Sequence, residues 1–379
     1  MRQDFIPNVP DSELRDYDPR SAADSQEFFT RWRRERDAAV AEQVPRPQQP
    51  EEAITFADAA TDNPLRPTTF DTMIGQEHVK GTLRRLVQSA RDRNAPLDHL
   101  LLVGASGTGK STLALVVANE LGKRMVQLEA PISHDTLVQL QRIMRDGDIL
   151  FIDEIHQQAI MERRGKSAST QPEVLFAVME DRRLPTSTGV LQFPAITVIG
   201  ATTDEGMLPD AFVNRFPIRP ALEPYTEDDL VTIAEYSADA LGVQIMYDAA
   251  LIFARACRRV PREINSYVRN ARSLSQTGWI RADLAREVLA FAGVTEDGLT
   301  RDMQAALRFL YTKCRRITGQ NEVIYQASVN SIATAIGKSR DSRAVVLRVE
   351  PFLIEQGYLQ VTHGGRRLTD EGVLRAIAL

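Results

Sequence analysis

Cysteine is scarce in this chain, and long apolar runs are absent from it. Only Cys257 and Cys314 occur among 379 residues, which argues against a disulfide framework or a thiolate zinc site and fits a reducing compartment. No run of 18 apolar residues occurs, so the sequence predicts no membrane-spanning helix. Residues 1–16 carry acidic side chains where a signal peptide needs an apolar centre. We therefore expect a cytoplasmic protein that is neither secreted nor membrane-embedded.

The composition is that of a globular protein, but the charge is unevenly distributed. Hydrophobic residues make up 43% and charged residues 26% of the chain, unlike collagen, a coiled coil or a wholly disordered protein. A length of 379 residues predicts two or three domains. The net charge is −5, yet Lys and Arg outnumber Asp and Glu in residues 301–379. A basic C-terminal segment on an acidic protein favours nucleic-acid binding there.

The first 65 residues read as an acidic, proline-containing extension that we expect to be largely flexible. Within it, residues 21–44 are rich in helix-forming residues and place Phe28, Phe29 and Trp32 at roughly helical spacing. This pattern predicts one amphipathic helix. Its apolar face could dock on the body of the protein or bind a partner, and the sequence leaves both alternatives open.

From residue 66 onward, short apolar runs alternate with helical patterns. Runs such as DILFIDE and AITVIGATT are typical of strands buried on both faces, and the intervening helices predict a parallel sheet. This α/β region spans 66–222, and a helical region follows over 223–298. A third unit covers 299–379, and its segment 351–372 reads as helix, glycine turn, strand, Gly-Gly turn and strand.

The segment GASGTGKST is the strongest local motif. Gly104, Gly109, Lys110 and Ser111 satisfy the pattern GxxxxGK[ST] between the predicted strand at residues 100–103 and a helix. Glycines allow backbone N–H groups to close around phosphates, and the helix N-terminus adds positive potential. The lysine can reach the β- and γ-phosphates, while the serine hydroxyl can bind Mg²⁺. The motif predicts a nucleotide-binding site.

A second motif, DILFIDE, brings two acidic residues to the end of a buried strand. Asp153 and Glu154 lie at the carboxyl end of this strand, where α/β sheets bind ligands. Asp153 would hold Mg²⁺ through water, and Glu154 would orient the water that attacks the γ-phosphate. The motif therefore predicts hydrolysis in addition to binding. His156, two residues later, is interpreted as a structural or surface residue.

Two further segments place polar side chains after the third apolar strand. Thr202 and Thr203 end that strand at the same predicted sheet edge, where a hydroxyl could contact the γ-phosphate. Arg215 follows in PDAFVNRFP. An isolated arginine is by default a surface or salt-bridged residue. Its place after this strand resembles that of an arginine finger, which acts on a nucleotide across a subunit interface.

Taken together, the motifs resemble the RuvB family, the bacterial motors that migrate Holliday junctions. The matching segments occur in the family's order and are RPTTFDTMIGQEHV, LDHLLLVGASGTGKSTLALVVANELG, GDILFIDEIH, EVLFAVMED, ITVIGATT, NRFPI, VPREIN and EPFLIEQGYLQ. The resemblance implies an AAA+ ATPase that uses ATP and Mg²⁺ and works as a ring, expected to be a hexamer, on duplex or four-way-junction DNA. It implies a large ATPase domain over 66–222, a helical lid over 223–298 and a winged-helix domain over 299–379.

The resemblance also assigns roles to individual residues. The nucleotide-binding residues would be Ile74, Gly104, Gly107, Gly109, Lys110, Ser111, Thr112, Asp153 and Arg262, with Ser111 and Asp153 at the metal. The catalytic residues would be Lys110, Glu154, Thr202 and Arg215. Thr202 would sense the γ-phosphate, Arg262 would contact the nucleotide from the lid, and Arg215 would act on the neighbouring subunit's ATP. The DNA-binding residues, on the turn that resembles the wing, would be His363, Arg366 and Arg367, where basic side chains meet phosphates without reading sequence.

Three departures from the family pattern bear on function. The phosphate loop differs from the family's usual GPPGLGKTT but keeps every chemically required position. Residues 182–192 are shorter than the family hairpin that docks the partner RuvA, so the sequence does not predict that partnership. The extension before residue 66 and the insertion-like segment 161–172 are unlike the housekeeping enzyme and fit a divergent, mobile-element-borne relative.

The leading hypothesis is therefore an ATP-driven, ring-forming DNA translocase. The alternative is an ATP-switched loader or scaffold that recruits a partner to DNA without translocating, because it would need the same nucleotide residues. A protein remodeller is disfavoured by the C-terminal pattern and by the lack of a recognisable aromatic threading loop.

Overall fold

The computed structural model describes residues 55–56, 63–158, 172–317, 323–338 and 342–379. The amphipathic helix predicted over 21–44 lies outside the described residues, as does nearly all of the insertion-like segment 161–172. Within the described part of the chain, no helix has the length and apolarity needed to cross a membrane.

The α/β region alternates strands with helices. Its elements are β1 (Thr55–Phe56), α1 (Glu77–Asp92), β2 (Leu100–Val103), α2 (Lys110–Leu121), β3 (Met125–Glu129), α3 (His134–Ile143), β4 (Ile149–Asp153), α4 (Pro172–Asp181), β5 (Arg183–Thr186), β6 (Gly189–Gln192), β7 (Thr197–Thr202), a 3₁₀ turn (Glu205–Met207) and α5 (Asp210–Val213).

The central sheet has the strand order β1-β3-β4-β7-β2. The last four strands pair in parallel, and β1 adds an antiparallel edge strand that the sequence does not predict. Alternate residues enter different cores, because successive side chains of a strand point to opposite faces. Leu150 and Ile152 of β4 pack in one core, whereas Ile149 and Phe151 pack in the other. The predicted parallel α/β sheet, buried on both faces, is confirmed.

The strand register brings the carboxyl ends of the parallel strands to one edge. Val103 at the end of β2 pairs with Thr202 at the end of β7, and Glu129 at the end of β3 pairs with Asp153 at the end of β4. The phosphate loop leaves the same edge and leads directly into α2. The polar residues of the separate sequence motifs are thus gathered along one side of the sheet.

The helical region is a compact bundle with its own core. Its elements are α6 (Glu227–Ala240), β8 (Gln244–Ile245), α7 (Tyr247–Ala256), α8 (Pro261–Leu274), β9 (Trp279–Ile280) and α9 (Ala282–Ala292). Helix α6 begins at a threonine cap: Thr226 Oγ1 accepts from the Asp229 N–H at 3.1 Å, and the Asp229 carboxylate accepts from the Thr226 N–H at 3.1 Å. This capping box satisfies two N–H groups that an unpaired helix start leaves open.

The C-terminal unit is a winged helix. Its elements are α10 (Arg301–Lys313), β10 (Arg315–Ile317), β11 (Val323–Ala327), α11 (Val329–Ala335), α12 (Ser342–Ala344), a π-helical turn (Val345–Val349), α13 (Glu350–Glu355), β12 (Leu359–Thr362), β13 (Gly365–Leu368) and α14 (Asp370–Ile377). Its sheet has the order β10-β11-β13-β12, and the antiparallel β12–β13 hairpin forms the wing. The order predicted for 351–372 is confirmed.

Candidate nucleotide site and DNA-binding surface

A cavity of about 400 Å³ opens between the sheet edge, the phosphate loop and the helical lid. The predicted site residues that line it are Ile74, Gly107, Gly109, Lys110, Ser111, Thr112, Asp153, Glu154 and Arg262. They come from segments up to almost 190 residues apart in the sequence. The fold therefore brings most of the predicted nucleotide residues around one space. Gly104, Thr202 and Arg215 are not among its lining residues.

The phosphate loop depends on two glycines in the left-handed region. Gly107 has φ +84° and Gly109 has φ +95°, conformations that residues with a Cβ rarely adopt. A Cβ at Gly107 would also lie 2.6 Å from Cγ1 of Val260, which belongs to the lid. Gly104 stands at the loop's start, and its carbonyl accepts a hydrogen bond from the Lys110 ammonium. The two left-handed glycines allow the loop to curl around, and the lack of a Cβ at Gly107 allows Val260 of the lid to pack against the loop.

Lys110 is folded back onto the loop that carries it. Its Nζ donates to the carbonyl oxygens of Gly104, at 2.7 Å, and Ala105, at 3.0 Å. Burial lowers the pKa of Lys110, and the nearby carboxylates of Glu154 and Asp153 oppose that effect. The ammonium is thus held at the mouth of the loop, where an arriving phosphate could exchange for the carbonyl partners.

The end of β4 presents Asp153 and Glu154 to the cavity. Glu154 has φ +47°, an uncommon conformation for a residue with a side chain, and its N–H donates to Asp153 Oδ1 at 3.0 Å. Its carboxylate oxygen Oε2 accepts from the Thr203 hydroxyl at 3.3 Å and lies 3.3 Å from His156 Nδ1. This left-handed backbone conformation turns Glu154 toward the cavity. Uncommon backbone dihedral angles of this kind often occur at functional sites.

Thr202 ends β7 at the predicted sheet edge, and its contact with the γ-phosphate stays a prediction. Thr202 is fully buried, and its hydroxyl accepts from the Asp204 N–H at 3.1 Å and contacts His156 Nδ1 at 3.1 Å. It therefore does not reach the cavity. The His156 side chain is only 13% exposed and touches both Thr202 and Glu154, contacts that agree with its interpretation as a structural residue. The sequence signal was its position two residues after Glu154.

Several cavity residues were missed by sequence reasoning. Arg66 donates from Nη2 to the Ser111 carbonyl at 2.8 Å, and its pKa is lowered by burial and by the neighbouring guanidinium of Arg262. Two cations facing one cavity favour an anionic ligand. Tyr225 also lines the cavity, and burial raises its pKa to about 12, so it stays a neutral phenol. The one sequence signal for Arg66 was its position at the start of the segment RPTTFDTMIGQEHV.

Arg215 lies outside this cavity and is held by its own subunit. Its Nη2 donates to Glu180 Oε2 at 3.3 Å, its Nε lies 3.2 Å from Glu180 Oε1, and its Nη1 donates to the Ala211 carbonyl. The guanidinium carbon sits 3.9 Å from the centroid of the Phe176 ring, a cation–π distance. The role of this arginine at a neighbouring subunit's nucleotide stays a prediction.

The predicted DNA-binding residues of the wing have different surroundings. His363 is exposed at the hairpin turn, whereas Arg366 Nε and Nη2 donate to Glu350 at 2.6 and 2.9 Å. Glu350 is buried, so this bidentate pair ties the wing to the start of α13. Sequence reasoning also missed two exposed arginines on the preceding helical segment, Arg343 and Arg348, because a helix there was not predicted.

Comparisons with known proteins agree with this architecture. Residues 65–222 match the family described as the Holliday junction DNA helicase RuvB P-loop domain, and residues 296–375 match the RuvB C-terminal winged helix domain. The Holliday junction branch migration complex subunit RuvB of Thermobifida fusca is 32% identical over 335 residues, covering 85% of this chain and 90% of the relative. Its counterpart from Streptococcus agalactiae is 35% identical over 320 residues, covering 81% and 91%.

Solved structures show the same likeness. The RuvB Holliday junction branch migration motor of Thermotoga maritima superposes with a TM-score of 0.67 at 27% identity, covering 83% of this chain and 98% of that one. The two family models cover the phosphate loop, the acidic strand end and the C-terminal winged helix, and the chain belongs to the RuvB family of AAA+ ATPases.

Proposed function

We propose that this protein is a ring-forming DNA translocase that couples hydrolysis of Mg-ATP to movement of duplex or four-way-junction DNA. The observation that carries the proposal is the convergence of Lys110, Ser111, Asp153, Glu154 and Arg262 on one cavity in a chain that ends in a winged helix. A cavity of this kind binds and hydrolyses a nucleotide, and the winged helix supplies a surface for DNA. The ring is expected to be a hexamer in the cytoplasm.

The donor atoms around the phosphate loop suit ATP and Mg²⁺. Ser111 and Asp153 offer hydroxyl and carboxylate oxygens, the ligands that Mg²⁺ prefers. Among the described residues, no group of three or more His, Cys, Asp and Glu side chains could hold a metal by itself. This fits Mg²⁺, which commonly keeps waters and shares its site with substrate phosphates. When bound, the ion would neutralise phosphate charge during hydrolysis.

Each protein group has a defined task in the proposed reaction. Lys110 exchanges its carbonyl partners for the β- and γ-phosphate oxygens. Glu154 accepts a hydrogen bond from the attacking water and orients it toward the γ-phosphorus. Arg262 contacts the phosphates from the lid, so that lid closure depends on the nucleotide. Gly104, Gly107 and Gly109 shape the loop, Thr112 lines the cavity from the first turn of α2, and Ile74 contributes an apolar wall.

The position of Arg215 supports the proposed ring. Because this arginine does not line its own subunit's cavity, it can serve as a finger only at a neighbouring nucleotide. In the proposed ring, Arg215 leaves Glu180 and approaches the γ-phosphate bound by the adjacent subunit. Hydrolysis therefore requires assembly, and each subunit reports its neighbour's nucleotide state.

The DNA contacts are proposed for the winged helix within 299–379. His363 and Arg367 would meet phosphates from the wing, joined by Arg343 and Arg348 from the preceding helical segment. Arg366 would act indirectly, by fixing the wing through Glu350. We do not propose RuvA as a partner, because the β5–β6 hairpin, which turns at residues 187–188, is shorter than the family hairpin that docks RuvA.

The deciding experiment compares ATP turnover on DNA with branch migration. The wild-type protein is incubated with ATP, Mg²⁺ and duplexes of increasing length, and then with a labelled four-way junction. Turnover that rises with duplex length and separates the junction arms supports the translocase. Turnover that is insensitive to length and leaves the junction intact, while the protein still retains a partner on DNA, would favour a loader or scaffold. Glu154→Gln protein is the control for contaminating ATPase.

A further inference from the structure

We propose that His156 positions the Glu154 carboxylate, and that Thr202 influences hydrolysis through His156 without itself touching the nucleotide. This inference rests on the proposed function, because it assigns Glu154 the task of orienting the attacking water. It differs from the sequence-based prediction, in which the Thr202 hydroxyl contacts the γ-phosphate directly. The three residues form one chain of contacts from the buried end of β7 to the cavity.

The geometry supports this chain at both ends. Nδ1 of His156 lies 3.1 Å from Thr202 Oγ1 and 3.3 Å from Glu154 Oε2. Glu154 and Lys110 line the cavity, whereas Thr202 is fully buried and does not. A hydroxyl enclosed in this way has no access to a phosphate. The imidazole contacts both the buried threonine at the end of β7 and the catalytic carboxylate.

Hydrogen-bond chemistry restricts the proton on His156. An ionised carboxylate can only accept, so an attractive contact between Nδ1 and Glu154 requires a proton on Nδ1. Thr202 Oγ1 already accepts from the Asp204 N–H at 3.1 Å and can donate to the Asp204 carbonyl at 3.1 Å. Its hydroxyl is thereby satisfied locally and can also accept from the imidazole. A single Nδ1 proton can therefore serve either Glu154 or Thr202.

As a consequence, the His156 imidazole that holds the Glu154 carboxylate has two possible acceptors for its Nδ1 proton. With the Nδ1 proton directed at Glu154, the carboxylate is fixed at the cavity. With that proton directed at Thr202, the hydrogen bond that the carboxylate keeps from the described residues is that of the exposed Thr203 hydroxyl, at 3.3 Å. The ring cannot tilt freely, because its side chain is largely enclosed. Thr202 thus restricts the orientation of the His156 imidazole, and the imidazole restricts the position of the Glu154 carboxylate.

The test separates the rate of hydrolysis from nucleotide binding. His156→Ala should lower kcat about tenfold, the loss typical of removing a group that orients a catalytic partner, and leave the Kd of a non-hydrolysable ATP analogue within twofold of wild type. His156→Asn places an amide N–H near the position of Nδ1 and should recover most of the rate. His134→Ala, which removes an imidazole that bonds the Pro185 carbonyl, is the matched control.

Two backgrounds show whether His156 acts through its neighbours. In Glu154→Asp protein, whose shorter side chain draws the carboxylate away from the imidazole, adding His156→Ala should lower kcat by less than it does in wild type. Thr202→Val should lower kcat by less than His156→Ala does, and the double variant should resemble His156→Ala alone. The proposal is overturned if kcat of His156→Ala stays within twofold of wild type, or if analogue binding falls in step with kcat.

Folding and function are kept apart in this design. Should His156→Ala melt below the assay temperature, His156→Leu and Thr202→Val carry the test, since they retain comparable volume and His156→Leu has no N–H group to hold the Glu154 carboxylate. Unchanged rates in both of these variants would also overturn the proposal. Failure of the proposed function looks different: the wild-type protein would then show no ATP turnover that depends on Glu154, whatever residue stands at 156.

Discussion

The nucleotide cavity and the winged helix were both predicted from short motifs, yet the two regions differ in how the predicted residues are placed. At the cavity, Gly107, Lys110 and Asp153 surround a common space. In the wing, Arg366 is bound to the buried Glu350, although it was predicted to contact DNA alongside the exposed His363. The phosphate loop acts largely through its backbone, which its glycines determine. The role of a basic side chain depends instead on which neighbouring group binds it, as Glu350 binds Arg366.

The sharpest test of the cavity is to remove its two central charges. Lys110→Ala should abolish ATP binding, because it removes the cation that compensates phosphate charge. Glu154→Gln should keep ATP binding and leave almost no turnover, because only the water-orienting carboxylate is lost. Equilibrium binding of an ATP analogue and steady-state phosphate release measure the two effects. Normal steady-state turnover in Glu154→Gln would contradict the assignment of this region.

Arg215 extends the comparison to a residue whose partner is proposed to change on assembly. Arg215→Ala should bind ATP almost normally and lose hydrolysis by about 10³-fold or more, because a finger stabilises transition-state charge. The nearby exposed Arg219→Ala is the matched control and should stay close to wild type. Phosphate release at saturating ATP is the measurement.

A mixing experiment tests whether Arg215 acts across the interface. Protein carrying Arg215→Ala is mixed with protein carrying Lys110→Ala, so that some interfaces combine an intact pocket with an intact finger. Recovery of part of the turnover is expected. If mixed rings form and turnover stays at zero at every ratio, action on a neighbouring subunit is excluded.

Within the winged helix, we expect one arginine to contribute mainly to stability and two others to contribute mainly to DNA binding. Arg366→Ala leaves the buried Glu350 carboxylate without its partner and should destabilise the fold by about 3 kcal/mol, the order of cost for breaking a buried ion pair. Arg343→Ala and Arg348→Ala should leave stability almost unchanged. Each should weaken DNA binding and reduce the log–log salt dependence by about one unit.

Urea unfolding and DNA titrations at several salt concentrations measure both quantities. Combining Arg366→Ala with Glu350→Gln should recover part of the lost stability, because the unpaired buried charge is removed. An Arg366→Ala protein that is fully stable yet loses DNA affinity would reverse this assignment and return Arg366 to the phosphate-binding set.

The smallest expected effect concerns pH and His99, at the start of β2. Its Nδ1 accepts from the Val198 N–H at 3.0 Å, its Nε2 donates to the Met179 carbonyl at 3.2 Å, and burial lowers its pKa below the ordinary 6.5. The unfolded chain therefore takes up the proton first as the pH falls. Stability from this residue should be complete above about pH 6.5 and decline below it.

Urea midpoints at pH 7.5 and 5.5 should therefore differ more for wild type than for His99→Asn, whose side-chain oxygen can still accept from the Val198 N–H. His78→Asn, at an exposed position on α1, is the control and should behave as wild type does. An identical pH dependence in wild type and His99→Asn would show that this imidazole does not couple folding to protonation.

The sequence by itself determined the parallel sheet, the phosphate loop and the acidic strand end of this protein. Buried parallel strands require continuous apolar runs, and the loop requires glycines at positions such as Gly107, so both leave a local signal. The tertiary structure alone decided which side chains face each other. Burial of Thr202, its contact with His156, and the pairing of Arg366 with Glu350 join residues on different elements. Such contacts depend on how the elements pack, and no local sequence pattern encodes them.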